Sequence, residues 1–138
     1  MLKRILYLSV FVALISSCHN DTFELPDVMV DEVVYLTNYP YNSLFPGSWA
    51  YVNGGLKGII LYRESDTKFK AYDRACPHIA LNQCSVLDGI ESTVKTICRC
   101  DKMEFLLVTG EPLNGAPVGL KKYRTYYNAD SQIVHITN

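Results

Sequence analysis

The sequence predicts a small all-β domain of antiparallel strands, arranged as a sandwich or barrel. After residue 17 no stretch shows sustained 3.6-residue periodicity, and short β-branched and aromatic runs recur between turn signals. Seven or more short strands at this spacing are typical of such folds. The 138 residues suffice for one domain, and the net charge of −1 leaves no basic surface for nucleic acid. We therefore expect one modest core and no DNA or RNA partner.

The strands are placed by the turns between them. The run 49–52 ends at Asn53-Gly54-Gly55, and runs rich in Ile, Tyr and Phe flank Ser65-Asp66-Thr67 as a hairpin. Thr109-Gly110, Asn114-Gly115 and Asn128-Ala129-Asp130 separate the later runs. We expect strands at 49–52, 59–63, 68–73, 93–97, 105–108, 121–127 and 132–136.

The first 17 residues have the pattern of an export signal. Lys3 and Arg4 precede an apolar run over residues 5–15, which is shorter than the roughly 20 residues of a membrane helix. Residues 15–18, Ile-Ser-Ser-Cys, resemble the lipobox of bacterial lipoproteins, which implies that Cys18 is acylated after cleavage. The alternative is an ordinary signal peptide with an incidental cysteine. The lipobox predicts a cell-envelope protein that acyl chains hold on a membrane, facing the periplasm or the exterior.

An acidic stretch follows the predicted cleavage site. From His19 to Leu56 there is no lysine or arginine, whereas five acidic residues fall there. With Pro26 and few packing residues before Val28, this charge shift predicts a tether over residues 18–27 and a domain over 28–138. The alternative is a solvated acidic turn.

Four further cysteines lie within 25 positions, and they indicate either a binding site or a disulfide pair. They are Cys76, Cys84, Cys98 and Cys100. Cys76-Pro77-His78 places a thiol and an imidazole two positions apart, so a tight turn can direct both at one centre. A second loop, Cys98-Arg99-Cys100-Asp101, follows 22 positions after Cys76.

From residue 49 onward the chain resembles the Rieske family. The resemblance rests on the approach strands 51–52 to 68–73, on Cys76-Pro77-His78, and on Phe105 and the run 109–117 before Leu120 and Tyr123. It implies a 2Fe-2S cluster, with two cysteines on one iron and two imidazoles on the other. Carried over, the ligand positions are Cys76, His78, Cys98 and Asp101. The family also implies one-electron transfer to an unidentified redox partner protein.

Asp101 departs from the family pattern, which has histidine at that position. A carboxylate is harder and more anionic than imidazole, so it favours ferric iron and lowers the reduction potential. Lys102 and Met103 stand where family members usually have Gly-Ser, which donates hydrogen bonds to cluster sulfurs. The proline-bearing loop that covers the cluster in the family is matched by Gly115-Ala116-Pro117.

The resemblance also bears on the disulfides. Some Rieske proteins join the two cluster loops by a disulfide, which implies a bridge between Cys84 and Cys100 in an exported chain. If the cluster is absent, Cys76 and Cys98 can pair as well. The leader resembles a general secretory signal, and a chain exported unfolded carries no preassembled cluster.

Two hypotheses of different classes follow. The first is a lipid-anchored electron carrier with a 2Fe-2S cluster, rather than a stand-alone enzyme. The second is a Rieske-fold envelope lipoprotein that has lost the cluster and has a structural or binding role, stapled by disulfides or zinc. His135 fits a packed or surface strand residue, and His19 belongs to the tether. Lys121, Lys122 and Arg124 fit either docking of an acidic partner or charges that protect an edge strand.

Overall fold

The computed structural model describes residues 23–138, so the predicted leader, Cys18 and His19 lie outside it. The described residues form nine strands and a single-turn 3-10 helix, Tyr41–Ser43, and contain no helix that could cross a membrane. The all-β prediction is confirmed. The strands are β1 (Asp31–Tyr35), β2 (Trp49–Val52), β3 (Ile59–Arg63), β4 (Phe69–Asp73), β5 (Leu87–Gly89), β6 (Lys95–Cys98), β7 (Glu104–Leu106), β8 (Lys122–Asn128) and β9 (Ile133–Thr137).

The strands form two antiparallel sheets. The larger has the order β1-β9-β8-β4-β3-β2, and the smaller has the order β5-β6-β7. β3 and β4 form the expected hairpin, with Arg63 opposite Phe69 next to the turn. The large sheet carries the strand that leads into the first cysteine loop, and the small sheet carries the strand that leads into the second.

Two features of the sheets differ from the sequence prediction. β1 and β5 were not predicted; β1 lies in the acidic stretch and pairs only with β9, and β5 is three residues long and ends in Gly89. The hypothesis that Lys121, Lys122 and Arg124 protect an edge strand is wrong, because Lys121 precedes β8 and β8 itself lies between β4 and β9. The edges of the large sheet are β1 and β2.

Two hydrophobic clusters lie on opposite faces of β3 and β4. Ile59 and Leu61 belong to the cluster enclosed by the large sheet, whereas Ile60 and Tyr72 belong to the cluster between the two sheets. Residues that alternate along a strand point to opposite faces. Both strands are therefore buried on both faces, which makes them a rigid base for the loop that follows β4.

The segment before β1 packs against the domain. Leu25 and Val30 are buried, and Asp27 accepts a hydrogen bond from Nζ of Lys121 at 2.6 Å. That hydrogen bond, with the charge of Lys121, holds the pKa of the exposed Asp27 carboxyl below its ordinary value. The boundary between tether and domain near Val28 stays a prediction.

Candidate functional site

The two cysteine loops lie side by side at one end of the domain. The first runs from the end of β4 to β5, and the second runs from the end of β6 to β7. The backbone N–H of Arg99 in the second loop donates to the carbonyl of Val86 in the first at 3.0 Å. The prediction that the loops occupy adjacent tips is confirmed. One difference is that Cys98 is the last residue of β6 rather than a loop residue.

Asn82 and Ser85 shape the first loop. The side-chain Oδ1 of Asn82 accepts from the backbone N–H groups of Cys84 and Ser85, at 2.8 and 3.0 Å. The Oγ of Ser85 accepts from the N–H of Asn82 at 2.7 Å and donates to its carbonyl at 3.0 Å. Such local side-chain bonds stabilise turns. The sequence analysis missed both residues, although the spacing of Asn and Ser is a turn signal.

The second loop is a tight turn around Asp101. The carbonyl of Met103 accepts from the N–H of Cys98 at 2.8 Å, and Lys102 has a φ of 65°. The Oδ1 of Asp101 accepts from the N–H of Met103 at 3.1 Å. Positive φ is uncommon for a residue with a side chain, so the turn depends on these bonds.

The two inner cysteines are bonded to each other. Cys76 and Cys98 form a disulfide whose two residues are fully buried, in the cluster that includes Leu87 and Phe105. This is the pairing that the sequence analysis expected if the cluster is absent. In this form neither sulfur is a thiolate, and the thiolate is the form of cysteine that binds iron or zinc.

A second disulfide joins the loops nearer the surface. Cys84 and Cys100 are bonded, the pairing that the resemblance implied. Cys84 is exposed and Cys100 is half-buried. The loops therefore carry an inner and an outer bridge with different access to solvent.

His78 and Asp101 meet beside the inner disulfide. The Nε2 of His78 lies 2.5 Å from Oδ2 of Asp101, and the side chain of His78 is 6% exposed. Burial alone acts to raise the pKa of Asp101, but hydrogen bonds from His78 and the Met103 N–H hold it below its ordinary value. Asp101 is thus a carboxylate at neutral pH, and Nε2 of His78 is the proton donor.

The other ring nitrogen of His78 has no partner. Its Nδ1 is buried and makes no hydrogen bond within residues 23–138. A ring nitrogen of His78, Sγ of Cys98 and a carboxylate oxygen of Asp101 lie within 4.8 Å of one another. Among the described residues these three form the only group of His, Cys, Asp and Glu side chains arranged to hold a metal ion.

The resemblance to Rieske proteins implies a 2Fe-2S cluster at these residues. In the disulfide form the residues do not fit it, because Cys76 and Cys98 bind each other and Asp101 binds His78. Reduction of the inner bridge supplies both thiolates and leaves His78 and Asp101 beside them. The cluster positions therefore converge in space, and the oxidation state of the cysteines decides whether they are free.

Two arginines and one aspartate form an ion-pair network beside the loops. The carboxylate of Asp88 contacts Nε of Arg99 at 2.5 Å and lies 3.3 Å from the guanidinium of Arg74. The hydrogen bond from Arg99 is the main reason that the pKa of Asp88 lies below its ordinary value. The guanidinium of Arg74 also lies 3.7 Å from the ring centre of Tyr51. The network ties the first loop, through β5, to the second.

The remaining sequence candidates fall in different places. Ala116 of the predicted covering loop is buried in the same cluster as the inner disulfide, and Val118 and Gly119 line an open cleft with Pro77. His135 lies on β9 with its ring 6.5 Å from that of Tyr126, and does not belong to the metal-binding group. Lys121 pairs with Asp27, whereas Lys122 and Arg124 are exposed.

No protein-family model and no curated protein matches the chain. Several solved structures are similar to it. The ferredoxin of carbazole 1,9a-dioxygenase from Nocardioides aromaticivorans IC177 is 16% identical, with a TM-score of 0.50 over 80% of this chain and 97% of that one.

Two other solved structures are similar. One is a Mycobacterium tuberculosis protein assigned as the small subunit of an NADH-dependent nitrite reductase, 16% identical over 81% of this chain and 97% of that one, with a TM-score of 0.49. The other is NirD from Escherichia coli, 14% identical over 70% and 89%, with a TM-score of 0.46. The ferredoxin likeness supports the Rieske-like fold, and at this identity it shows the fold alone.

Proposed function

We propose that this chain is a lipid-anchored, Rieske-like protein of the bacterial cell envelope that transfers single electrons through a 2Fe-2S cluster. The observation that carries the proposal is the convergence of Cys76, His78, Cys98 and Asp101 at the end of the domain where the two cysteine loops lie side by side. A similar ferredoxin fold supports it. A bound cluster would supply a one-electron redox couple at the end of the domain that carries both cysteine loops, where a partner protein can dock.

In this proposal each residue has a defined part. Cys76 and Cys98 would hold one iron as thiolates, and His78 and Asp101 would hold the other. The chain must first receive two electrons at the inner disulfide, and Asp101 must leave His78. An anionic ligand in place of imidazole stabilises the ferric state, so we expect a low reduction potential.

The anchor is a separate part of the proposal. Acylation of Cys18 would hold the domain at the membrane surface through a short acidic tether, and the redox partner would be an envelope or membrane protein. Cys18 lies outside the described residues, so the lipobox motif alone supports this step.

The disulfides favour a second candidate function. With both bridges closed, none of the four domain cysteines is available to a metal. Lys102 and Met103 also fail to supply the hydrogen bonds that usually support a cluster. In this case the chain is a cluster-free envelope lipoprotein with a binding or structural role.

Spectroscopy of protein from its native host, and of anaerobically reconstituted protein, separates the two candidates. The electron carrier should be coloured, show a reducible paramagnetic signal, and lose both in Cys76→Ser/Cys98→Ser. Asp101→His should keep the cluster and raise its potential, because a neutral ligand favours the reduced state. A colourless reconstituted protein, in which thiol counting after denaturation finds no free cysteine, would contradict electron transfer and support the second candidate.

A further inference from the structure

A metal site simpler than a cluster follows from the geometry of His78. We propose that reduction of the Cys76–Cys98 disulfide opens a site for a single divalent ion of the zinc type, bound by both thiolates and Nδ1 of His78. Asp101 is then a positioning residue that holds the imidazole and does not bind the ion. The inference goes beyond the proposed function, since a single ion requires neither sulfide nor electron transfer.

The hydrogen bonding of the His78 imidazole leaves one ring nitrogen free to bind a metal ion. Nε2 donates to the Asp101 carboxylate at 2.5 Å, while Nδ1 is buried without a hydrogen-bond partner among the described residues. A buried N–H with no acceptor is costly, so the favoured tautomer leaves Nδ1 without a proton. A bare imidazole nitrogen is the form that metal ions bind.

Both oxygens of Asp101 already have partners. Oδ2 binds His78, and Oδ1 accepts from the N–H of Met103 at 3.1 Å. Metal-bound histidines commonly donate their second N–H to a carboxylate, which fixes the ring and strengthens its basicity. The contact therefore need not break for a single ion to bind, whereas a cluster would require Asp101 to move.

Two thiolates and one imidazole suit a zinc-type ion. Zinc prefers sulfur and nitrogen ligands in tetrahedral geometry, and three protein ligands leave one position for water or a ligand. The sulfurs of Cys76 and Cys98 are already in covalent contact, and Cys98 Sγ belongs to the group whose donor atoms lie within 4.8 Å of one another. Breaking the bond frees two donors that the fold has already brought together.

The opening step has a simple stoichiometry. A dithiol reductant gives two electrons and two protons to the Cys76–Cys98 bond and itself becomes a disulfide. The ion then displaces both thiol protons and forms two metal–sulfur bonds. Oxidation and metal binding compete for the same sulfurs, so the site is present only in the reduced protein.

Cobalt(II) and zinc(II) alone are the probes. Reduced wild type should bind one Co²⁺ with thiolate charge-transfer absorption, and Zn²⁺ should displace it, while the oxidised protein should bind neither. The matched variants are Cys84→Ser/Cys100→Ser, which keeps only the inner pair, and Cys76→Ser/Cys98→Ser, which keeps only the outer pair. The first should bind like wild type after reduction, and the second should not bind.

His78 and Asp101 need their own variants. His78→Gln should weaken cobalt binding and change its visible spectrum. Asp101→Asn keeps an acceptor for Nε2 and should leave the spectrum unchanged, whereas Asp101→Ala should weaken binding about tenfold or more with the same spectrum. A changed cobalt spectrum in Asp101→Asn would make Asp101 a ligand and overturn its positioning role.

Other outcomes overturn the site itself. The site is overturned if the reduced wild type binds no cobalt, or if the oxidised protein binds it. Loss of cobalt binding in Cys84→Ser/Cys100→Ser would also overturn it, because that loss would indicate a four-cysteine site. If Cys76→Ser/Cys98→Ser fails to fold, the oxidised wild type serves as the control without thiols. Iron–sulfide reconstitution is measured separately, so a protein that takes zinc but no cluster supports this inference and contradicts the proposed function.

Discussion

The hydroxyl of Tyr123 donates a hydrogen bond to Oδ2 of Asp73 at 2.6 Å inside the domain. The fully buried Asp73 also accepts from the N–H groups of Leu56 at 2.6 Å and Ala75 at 2.7 Å. It is the last residue of β4, so this carboxyl group fixes the point at which the first cysteine loop leaves the sheet. One side chain thereby links β8, the turn before β3 and the base of the site.

Asp73→Ala should destabilise the protein far more than Tyr123→Phe. The alanine leaves three donors without an acceptor, and the two buried ones, on Tyr123 and Ala75, cost about 1 to 3 kcal/mol each. The half-buried N–H of Leu56 adds less. The phenylalanine removes one donor from an acceptor that keeps two others, and should cost roughly 1 kcal/mol. Urea unfolding of both variants measures the difference, and equal losses would show that the network is unimportant.

Tyr72 should make the domain sensitive to high pH. Burial, with the nearby charge of Glu64, raises the pKa of Tyr72 to about 12, and its hydroxyl donates to the carbonyl of Leu107 at 3.0 Å. A tyrosine in the unfolded chain loses its proton at about pH 10. Above that pH the folded state therefore binds more protons than the unfolded state. The stability that protonated Tyr72 adds to the folded state is therefore complete below that pH. It is lost as the pH rises toward the pKa of Tyr72 in the folded protein.

The variant Tyr72→Phe isolates this effect. It should be less stable than wild type at neutral pH by roughly 1 kcal/mol, because a buried hydrogen bond is lost. Between about pH 9 and pH 12, wild type should lose about 2 to 3 kcal/mol more stability than the variant. Parallel pH profiles of the unfolding free energy would contradict the assigned pKa.

The two disulfides should be reduced in a fixed order. The Cys84–Cys100 bridge has an exposed cysteine, whereas both residues of Cys76–Cys98 are fully buried. Thiol exchange requires access to a sulfur atom, so the outer bridge should open first. Alkylation at increasing times of reduction, read by peptide mass spectrometry, should label Cys84 and Cys100 before the inner pair. Simultaneous labelling would indicate global unfolding.

The lipobox predicts the fate of Cys18. Cys18→Ala should leave the protein without acyl chains and release it from membranes, because in the proposal those chains are the anchor. Membrane fractionation together with mass spectrometry of the mature N-terminus tests this. An unmodified N-terminus at another residue would refute the anchor. Ser17→Ala, which keeps a small residue before Cys18, is the control and should still be cleaved and acylated.

The strands that were predicted from sequence are those with local signals. β2 and β3 have the predicted bounds because each is a compact run of apolar or aromatic residues next to a turn. β1 escaped prediction because its partner, β9, lies about a hundred positions away, as the register of Asp31 with Thr137 shows. Its alternation of exposed and buried residues becomes meaningful only when that partner is known.

The site was predicted in part for a similar reason. The resemblance brought Cys76, His78, Cys98 and Asp101 into one place, and the structure has them together. It did not reveal that Asp101 binds His78, because the family has histidine at that position and no short-range pattern encodes the contact. The buried Asp73 was also missed, since a single aspartate at a strand end looks like an ordinary turn residue.

The pairing of β1 with β9 also determines how the domain would respond to mechanical force. The N–H of Val30 donates to the side chain of Asn138, whose amide in turn donates to the carbonyl of Val28. Tension on the chain ahead of β1 acts first on residues 23–27, which line one cleft with Pro77 and bind Lys121 through Asp27. The edge strand β1 and its single neighbour β9 come next, and β8 lies between that edge and β4. Force on the N-terminal segment therefore acts beside the first cysteine loop before the sheet itself opens, so the site is mechanically coupled to the chain that precedes β1.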